Sequence, residues 1–186
     1  WICIHNRDSA YLDQVLTTTQ WIYHDYRDFS IQSMISAAEE LTKRGYFVIR
    51  MGSIQSEILS TPNHMIVDYA CSPNRSEFGD IYLSSGCSAY LGSDSGIFCL
   101  SLIFRKPISF VNYSLTIADL IPKRACNLFL PFITKQLFHK EKQCFLSLRE
   151  MFELGLYSVG MSHKFEEAGV EAISNTPEEI CNLAIE

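Results

Sequence analysis

The sequence predicts an α/β protein: a Rossmann-like three-layer sandwich built on a mostly parallel sheet. Three observations carry this. Short apolar runs alternate with segments of helical period at least four times along the chain. The 186 residues are 47% hydrophobic and 19% charged, an ordinary globular mixture. A monomer of this length buries roughly 70% of its extended surface, enough for one full domain over 1–186.

The elements follow in order. Trp1-Ile-Cys-Ile4 reads as a short buried strand, followed by the polar loop His5-Asn-Arg-Asp-Ser9. From Ile31, apolar residues recur at 31, 34, 35, 38 and 41, the spacing of an amphipathic helix, and Gly45 is its natural C-cap. Tyr46–Ile49 is a strand that ends at Arg50-Met-Gly52, and Met65–Val67 is a weaker one. Ser76-Glu77 opens a helix with Phe78, Ile81 and Tyr82 on one face. Ser88–Leu91 is a strand, and Gly92-Ser-Asp-Ser-Gly96 a glycine-bounded turn. Residues 97–104 are apolar on all sides, which predicts a fully buried helix. Pro107–Val111 is the next strand, and 113–145 reads as irregular, broken by Pro122 and Pro131. Ser147-Leu-Arg-Glu150 is a capping box, with Gly155 ending its helix. Val170–Ile173 is a short strand, and Thr176-Pro-Glu-Glu179 a strong helix start.

Several function classes are excluded or disfavoured. The net charge of −6 argues against a nucleic-acid partner, which needs a basic face. No apolar run approaches the roughly 20 residues of a membrane helix, and Asp8 and Asp13 interrupt any signal peptide. Seven cysteines without a CxxC pair argue against a disulfide framework or a zinc ribbon and suggest a reducing, cytoplasmic setting. Cys3 and Cys99 sit in apolar runs as small core residues. No GxGxxG, GxxxxGK[ST] or HExxH occurs, so no metal or cofactor is expected. The chain begins within a strand and ends within a helix, which reads as a portion of a longer protein.

In a parallel sheet, ligands bind outside the carboxyl ends of the strands. That places weight on loops 5–9, 50–53, 68–76, 92–96 and 112–114. The glycine turn offers Ser93 and Ser95 hydroxyls and a close backbone approach at Gly96, suited to a phosphate or diphosphate. It is equally a turn with Asp94 or Ser95 as an ordinary N-cap. Arg7 presents a planar fork for phosphate oxygens, and His5 a donor or proton carrier. The plain alternative pairs Arg7 with Asp8. Arg50 is a third cation at the same sheet edge, and Arg27 faces either a diphosphate or a structural carboxylate. Asp80 and Glu77 complement the dipole of their helix or join the site. Trp21, Tyr23, Tyr26 and Phe29 form an aromatic cluster for stacking or for loop packing. Lys135–Lys142, with three lysines and His139, is either a solvated face or a contact for anionic lipid.

His5-Asn-Arg-Asp-Ser-Ala-Tyr11, Asp25-Tyr-Arg-Asp28, Lys43-Arg-Gly-Tyr-Phe-Val-Ile-Arg-Met-Gly52, Asp80-Ile-Tyr-Leu83, Ser93-Asp-Ser-Gly96 and Arg105-Lys-Pro107 occur together and in order. The set resembles a family of bacterial GT-B-fold glycosyltransferases associated with surface polysaccharides. The likeness runs from about residue 1 to 180 and is most specific in the Arg-Gly-Tyr-Phe-Val-Ile-Arg-Met-Gly block. It implies a two-lobed, metal-independent enzyme, of which this chain is the C-terminal, donor-binding lobe. Its partners would be a nucleotide-sugar donor, a glycan acceptor and an N-terminal lobe supplying the catalytic base. Its location would be cytoplasmic, with peripheral contact at the inner membrane face.

Two related groups sharpen the expectation. Asp94-Ser95-Gly96 is similar to the phosphate turn of heptosyltransferases, although no His follows it. His5-Asn6-Arg7 is similar to the His-x-Arg of GT-B fucosyltransferases, although Asp8 stands where their second Arg would be. Arg7, His5 and Asp94 are thereby expected at the reacting centre, with Arg7, Arg50, Ser93, Ser95 and Gly96 on the donor phosphates and Arg27 and Asp80 nearby. One rival reading is an α/β-hydrolase-like enzyme with Asp94 as nucleophile and His139 or His163 as base. Another is a non-catalytic nucleotide- or sugar-binding module.

Overall fold

A computed structural model describes residues 1–15, 22–113, 130–156 and 161–186. Strands β1 (Ile2–His5), β2 (Val48–Arg50), β3 (Ile66–Val67), β4 (Ala89–Gly92), β5 (Ile108–Tyr113) and β6 (Phe132–Thr134) form one sheet. Their order is β3-β2-β1-β4-β5-β6 and every neighbouring pair is parallel. The chain builds outward from β1 to β3, then returns to the other side of β1 with β4. This is the doubly wound order, and its switch point lies between β1 and β4. The register Ile2↔Ala89 to His5↔Gly92 brings the carboxyl ends of these two strands level.

Alternation along the strands splits the core. Ile2, Ile4, Val48, Leu91 and Val111 face helix α2 (Ile35–Lys43) and the C-terminal helix. Cys3, Tyr90, Ile108 and Phe110 face helices α3 (Glu77–Gly86) and α4 (Phe98–Ile103). The described architecture is therefore α/β with a six-stranded parallel sheet flanked by helices, consistent with a Rossmann-like fold.

Local signals place the helix ends. Ser30 caps a 3-10 turn over Ile31–Met34 that runs into α2, and Gly45 follows that helix at φ +91°. Ser76 accepts the N–H of Gly79 at the start of α3. Capping boxes start two further helices, Leu148–Glu153 from Ser147 and Pro177–Ile185 from Thr176. A six-residue helix, α1 (Ala10–Val15), follows β1; numbering in chain order then makes Leu148–Glu153 α5, Ser162–Glu167 α6 and Pro177–Ile185 α7. No helix among the described residues is long and apolar enough to cross a membrane.

Several expectations are corrected. The α4 segment is not fully buried: Ile103 is 71% exposed, and Cys99 is also exposed rather than core. Only one side of this short helix meets the sheet, and its outer side stays open despite being apolar. The Phe78, Ile81 and Tyr82 face of α3 likewise points outward, while Asp80 and Ser84 are its buried residues.

The 113–145 stretch is not wholly irregular. β6 ends at Thr134 and β7 (Gln136–His139) begins one residue later, pairing antiparallel with β8 (Cys144–Phe145) and with β9 (Val170–Ile173). The Pro131 carbonyl accepts from Phe110 N–H at 2.9 Å, so this proline leads into a strand. Pro122 lies outside the described residues. The second, three-stranded sheet has its own core of Leu137, Met151, Leu156, Phe165 and Val170. Val170–Ile173 therefore belongs to this sheet and not to the parallel one.

Lys135–Lys142 is not uniformly solvated. Lys140 and Lys142 are exposed, but Lys135 is only 4% exposed and His139 is buried. β7 is the central strand of the second sheet, and the alternation of extended backbone turns Lys135, Leu137 and His139 inward.

Candidate functional site at the strand switch point

A cavity of about 570 Å³ opens at the carboxyl ends of β1 and β4. Its volume falls in the range of small-molecule sites. Three stretches converge on it: the loop after β1 (His5, Arg7, Asp8), the turn after β4 (Asp94, Ser95, Gly96), and Gly52, Ser53 and Gln55 beyond β2. Arg27 and His24, from the 3-10 helix Ile22–Arg27, and Arg75 and Asp80 complete the polar wall. Tyr11 and Leu12 of α1 and Ile97 and Leu100 by α4 give it an apolar side.

Each of its arginines is oriented by an aspartate. Arg7 pairs with Asp28 rather than Asp8, and its Nη1 also donates to the His24 carbonyl at 3.1 Å. Asp8 is engaged elsewhere, accepting from Ala10 N–H and from the N–H and hydroxyl of Ser56. Arg27 donates to the Asp94 carbonyl and lies 3.1 Å from its carboxylate. Arg75 donates to Asp80 at 2.5 Å. Among the described residues, Arg7 Nη2, Arg27 Nε, Arg75 Nε and Asp80 Oδ1 are buried with no hydrogen-bond partner. A buried polar group left unpaired is costly, so the three guanidinium nitrogens favour a ligand that supplies acceptors, and Asp80 Oδ1 one that also carries a donor. Burial, and next the neighbouring Arg27 guanidinium, hold the Arg7 guanidinium below the ordinary arginine range. Two guanidiniums that repel each other at one end of a cavity are relieved by an anion.

His5 is neutral. Its Nδ1 lies 2.8 Å from the Met51 carbonyl, which accepts the Nδ1 proton, and burial lowers the ring to about 4. Only Nε2 is left, as an acceptor. The expectation that His5 donates to a phosphate is therefore corrected, while a proton-accepting role stays compatible with this tautomer. Burial, then Arg27 and Arg7, also push the His24 ring down.

Two expected phosphate ligands lie off the cavity. Arg50 is fully buried behind it, donating to Glu57 O, Asp68, Asn6 and Gln55. Residues 53–59 fold back over the end of β2 and enclose it. Ser93 is 1% exposed, its N–H donating to His5 O and its carbonyl accepting from Tyr90 OH, so its hydroxyl is turned into the fold. Ser95 and Gly96 do line the cavity, and a Cβ built on Gly96 would meet nothing within 4 Å. Gly92 is where glycine is required: a Cβ there would sit 2.4 Å from the His5 carbonyl oxygen.

Asp80 lines the cavity but is not a free dipole partner of α3. It is paired with Arg75, and burial raises its carboxyl above the usual range. Tyr26 packs on Phe165 and Phe29 is buried in the main core, so neither lines the cavity; Trp21 lies outside the described residues. His139 and His163 do not line the cavity, and Asp94 is tied to Arg27. Asp94 also has no positive φ, the strain a nucleophile elbow stores. Those facts disfavour the hydrolase reading.

Sequence reasoning missed Arg75, His24 and Lys135. Arg75 could have been found as the only cation in loop 68–76, which the strand pattern had already singled out. Among the described residues, no group of three His, Cys, Asp or Glu side chains is placed to hold a metal ion.

Compared with known protein families, with curated proteins and with solved structures, the chain matches none.

Proposed function

We propose that this chain is the donor-binding lobe of a metal-independent GT-B glycosyltransferase, taking a sugar from a nucleotide-sugar toward a glycan of a surface polysaccharide. One observation carries the reading. At the switch point of a doubly wound sheet, Arg7 and Arg27 flank a cavity of nucleotide size with buried donors unpartnered. A diphosphate matches them in charge and in acceptor count.

In glycosyl transfer the acceptor hydroxyl attacks the anomeric carbon and the bond to the β-phosphate oxygen breaks. Negative charge grows on that phosphate. Arg7 Nη2 and Arg27 Nε are held in place by Asp28 and Asp94 before the reaction, so they stabilise the charge with little reorganisation. The acceptor proton leaves to a base that the resemblance assigns to the N-terminal lobe.

The test is a thermal-shift series with UDP, GDP, CDP, CMP and ADP on the wild type and on Arg7→Ala. At a concentration a hundredfold above Kd, the preferred nucleotide should raise Tm by about 5–10 °C. The shift should vanish in Arg7→Ala. A folded wild type that shifts with none of the five nucleotides would overturn the reading.

A further inference from the structure

Lys135 is the single residue between β6 and β7, and so the covalent link between the two sheets. Its N–H donates to Tyr113 O at 3.3 Å, while its side chain crosses inward. Nζ donates to the backbone carbonyl of Asp28 at 2.7 Å, and the Asp28 carboxylate is the partner of Arg7. A small void of about 10 Å³ beside it is bordered by Arg27 and Asn112. An almost fully buried ammonium thus lies one residue behind the cationic end of the cavity.

Around Lys135 the β1 loop contributes Arg7, and the 3-10 helix contributes Arg27 and Tyr26. Asp28 follows that helix, and β5 contributes neutral Asn112. From β7, α6 and β9, apolar Leu137, Phe165 and Ala172 border the same void. Nothing in this set except Asp28 offsets its charge, and Asp28 is shared with Arg7.

We propose that Lys135 is a positioning residue for the bound anion: through Asp28 it holds Arg7 in place and keeps the Arg7–Arg27 end of the cavity cationic. This rests on the reading of the cavity as a diphosphate site. It makes anion affinity depend on the second sheet, because the same backbone that begins β7 delivers the ammonium. Burial, and then Arg7, bring Lys135 down to about 8. An anion in the cavity favours the charged form and raises that value. Affinity should therefore be full below about pH 8 and fall as the pH rises from there toward the value in the bound state.

Isothermal titration with inorganic pyrophosphate, from about pH 6.5 to about pH 9.5, tests this on the wild type, Lys135→Met and Lys135→Arg. Near neutrality Lys135→Met should bind about fivefold more weakly than the wild type. The gap should close as the pH passes 8, because the wild type then loses the same charge. Lys135→Arg should keep the neutral-pH affinity and lose the pH break. Taking the ratio of wild type to variant at each pH removes the titration of pyrophosphate itself. A ratio constant across the pH range, with both variants folded by circular dichroism and binding still abolished by Arg7→Ala, overturns the role of Lys135 alone. Absence of pyrophosphate binding by the wild type at every pH overturns the anion site as well.

Discussion

Arg7 and Arg50 stand at the carboxyl ends of neighbouring parallel strands, yet their surroundings are opposite. Arg50, the last residue of β2, has no exposed surface and four acceptors around its two terminal nitrogens: Glu57 O at 2.6 Å, Gln55 at 2.8 Å, Asn6 at 3.0 Å and Asp68 at 3.2 Å. Arg7 has one aspartate and one carbonyl; Arg50 Nε and Arg7 Nη2 both lack a hydrogen-bond partner, but only Arg7 lines the cavity. At β2 the following loop folds back over the strand end and then enters β3 on the same side. Between β1 and β4 the chain departs in opposite directions, so no connection crosses the gap. A cation at a strand end is therefore not enough to make a site. The reversal of strand order leaves one such end open.

The largest effect should come from Arg50→Ala, which strips Asp68 of its counter-charge and leaves the Glu57 carbonyl and the Asn6 and Gln55 side-chain oxygens without this donor inside the fold. It should cost about 3–5 kcal/mol in urea denaturation. Arg7→Ala should cost less, about 1–2 kcal/mol, because Asp28 keeps partial access to water. Equal losses would break the comparison.

His5 sits between the two ends and gives the next largest effect. Its folded value, about 4, lies below its ordinary 6.5, so the unfolded chain binds more protons between those values. Stability should be complete above about pH 6.5 and fall as the pH drops toward 4, by about 3 kcal/mol in all. His5→Gln should flatten that slope in denaturant titrations taken across the window. A slope unchanged in His5→Gln would assign the pH dependence to other groups.

An effect below those of Arg50 and His5, and comparable with that of Arg7→Ala, concerns the closeness of the two strands at the switch point. Gly92→Ala forces a Cβ against the His5 backbone and should cost about 1–3 kcal/mol while shifting His5 relative to the β4 turn. It should also weaken pyrophosphate binding, whereas Gly96→Ala, with open space around its Cβ, should leave stability nearly unchanged. Similar stability losses in the two variants would show that the β1–β4 approach is not tight.

Much of the frame was legible along the chain. The capping boxes at Ser147 and Thr176, the positive-φ glycines after α2 and α5, and the alternation of Ile2, Cys3 and Ile4 between two cores are local signals. A side-chain oxygen reaching a backbone N–H three residues on needs no tertiary help. The loops flagged from the strand pattern did include His5, Arg7, Ser95 and Gly96, which the cavity collects. Reading Arg50 and Ser93 as ligands erred for one reason: exposure at a strand end depends on how the next loop folds. The apolar α4 segment misled in the opposite sense, since hydrophobicity all round does not bury a helix that has only one neighbouring layer.

Local pattern along the chain fixes the α/β class, most helix starts and the strand ends at which a ligand would be sought. These rest on contacts within a few residues, where the period of the backbone dictates what meets what. Which aspartate each arginine holds follows from the packing of distant segments. Arg7 passes over the adjacent Asp8 for Asp28, and Arg27 takes Asp94, 67 residues away. The same packing buries Lys135 beneath that pair, 107 residues along the chain from Asp28. Any of several carboxylates is within reach of a long cationic side chain in the unfolded chain. The order of strands in the sheet selects one, and with it the end of the sheet that is left with donors to spare.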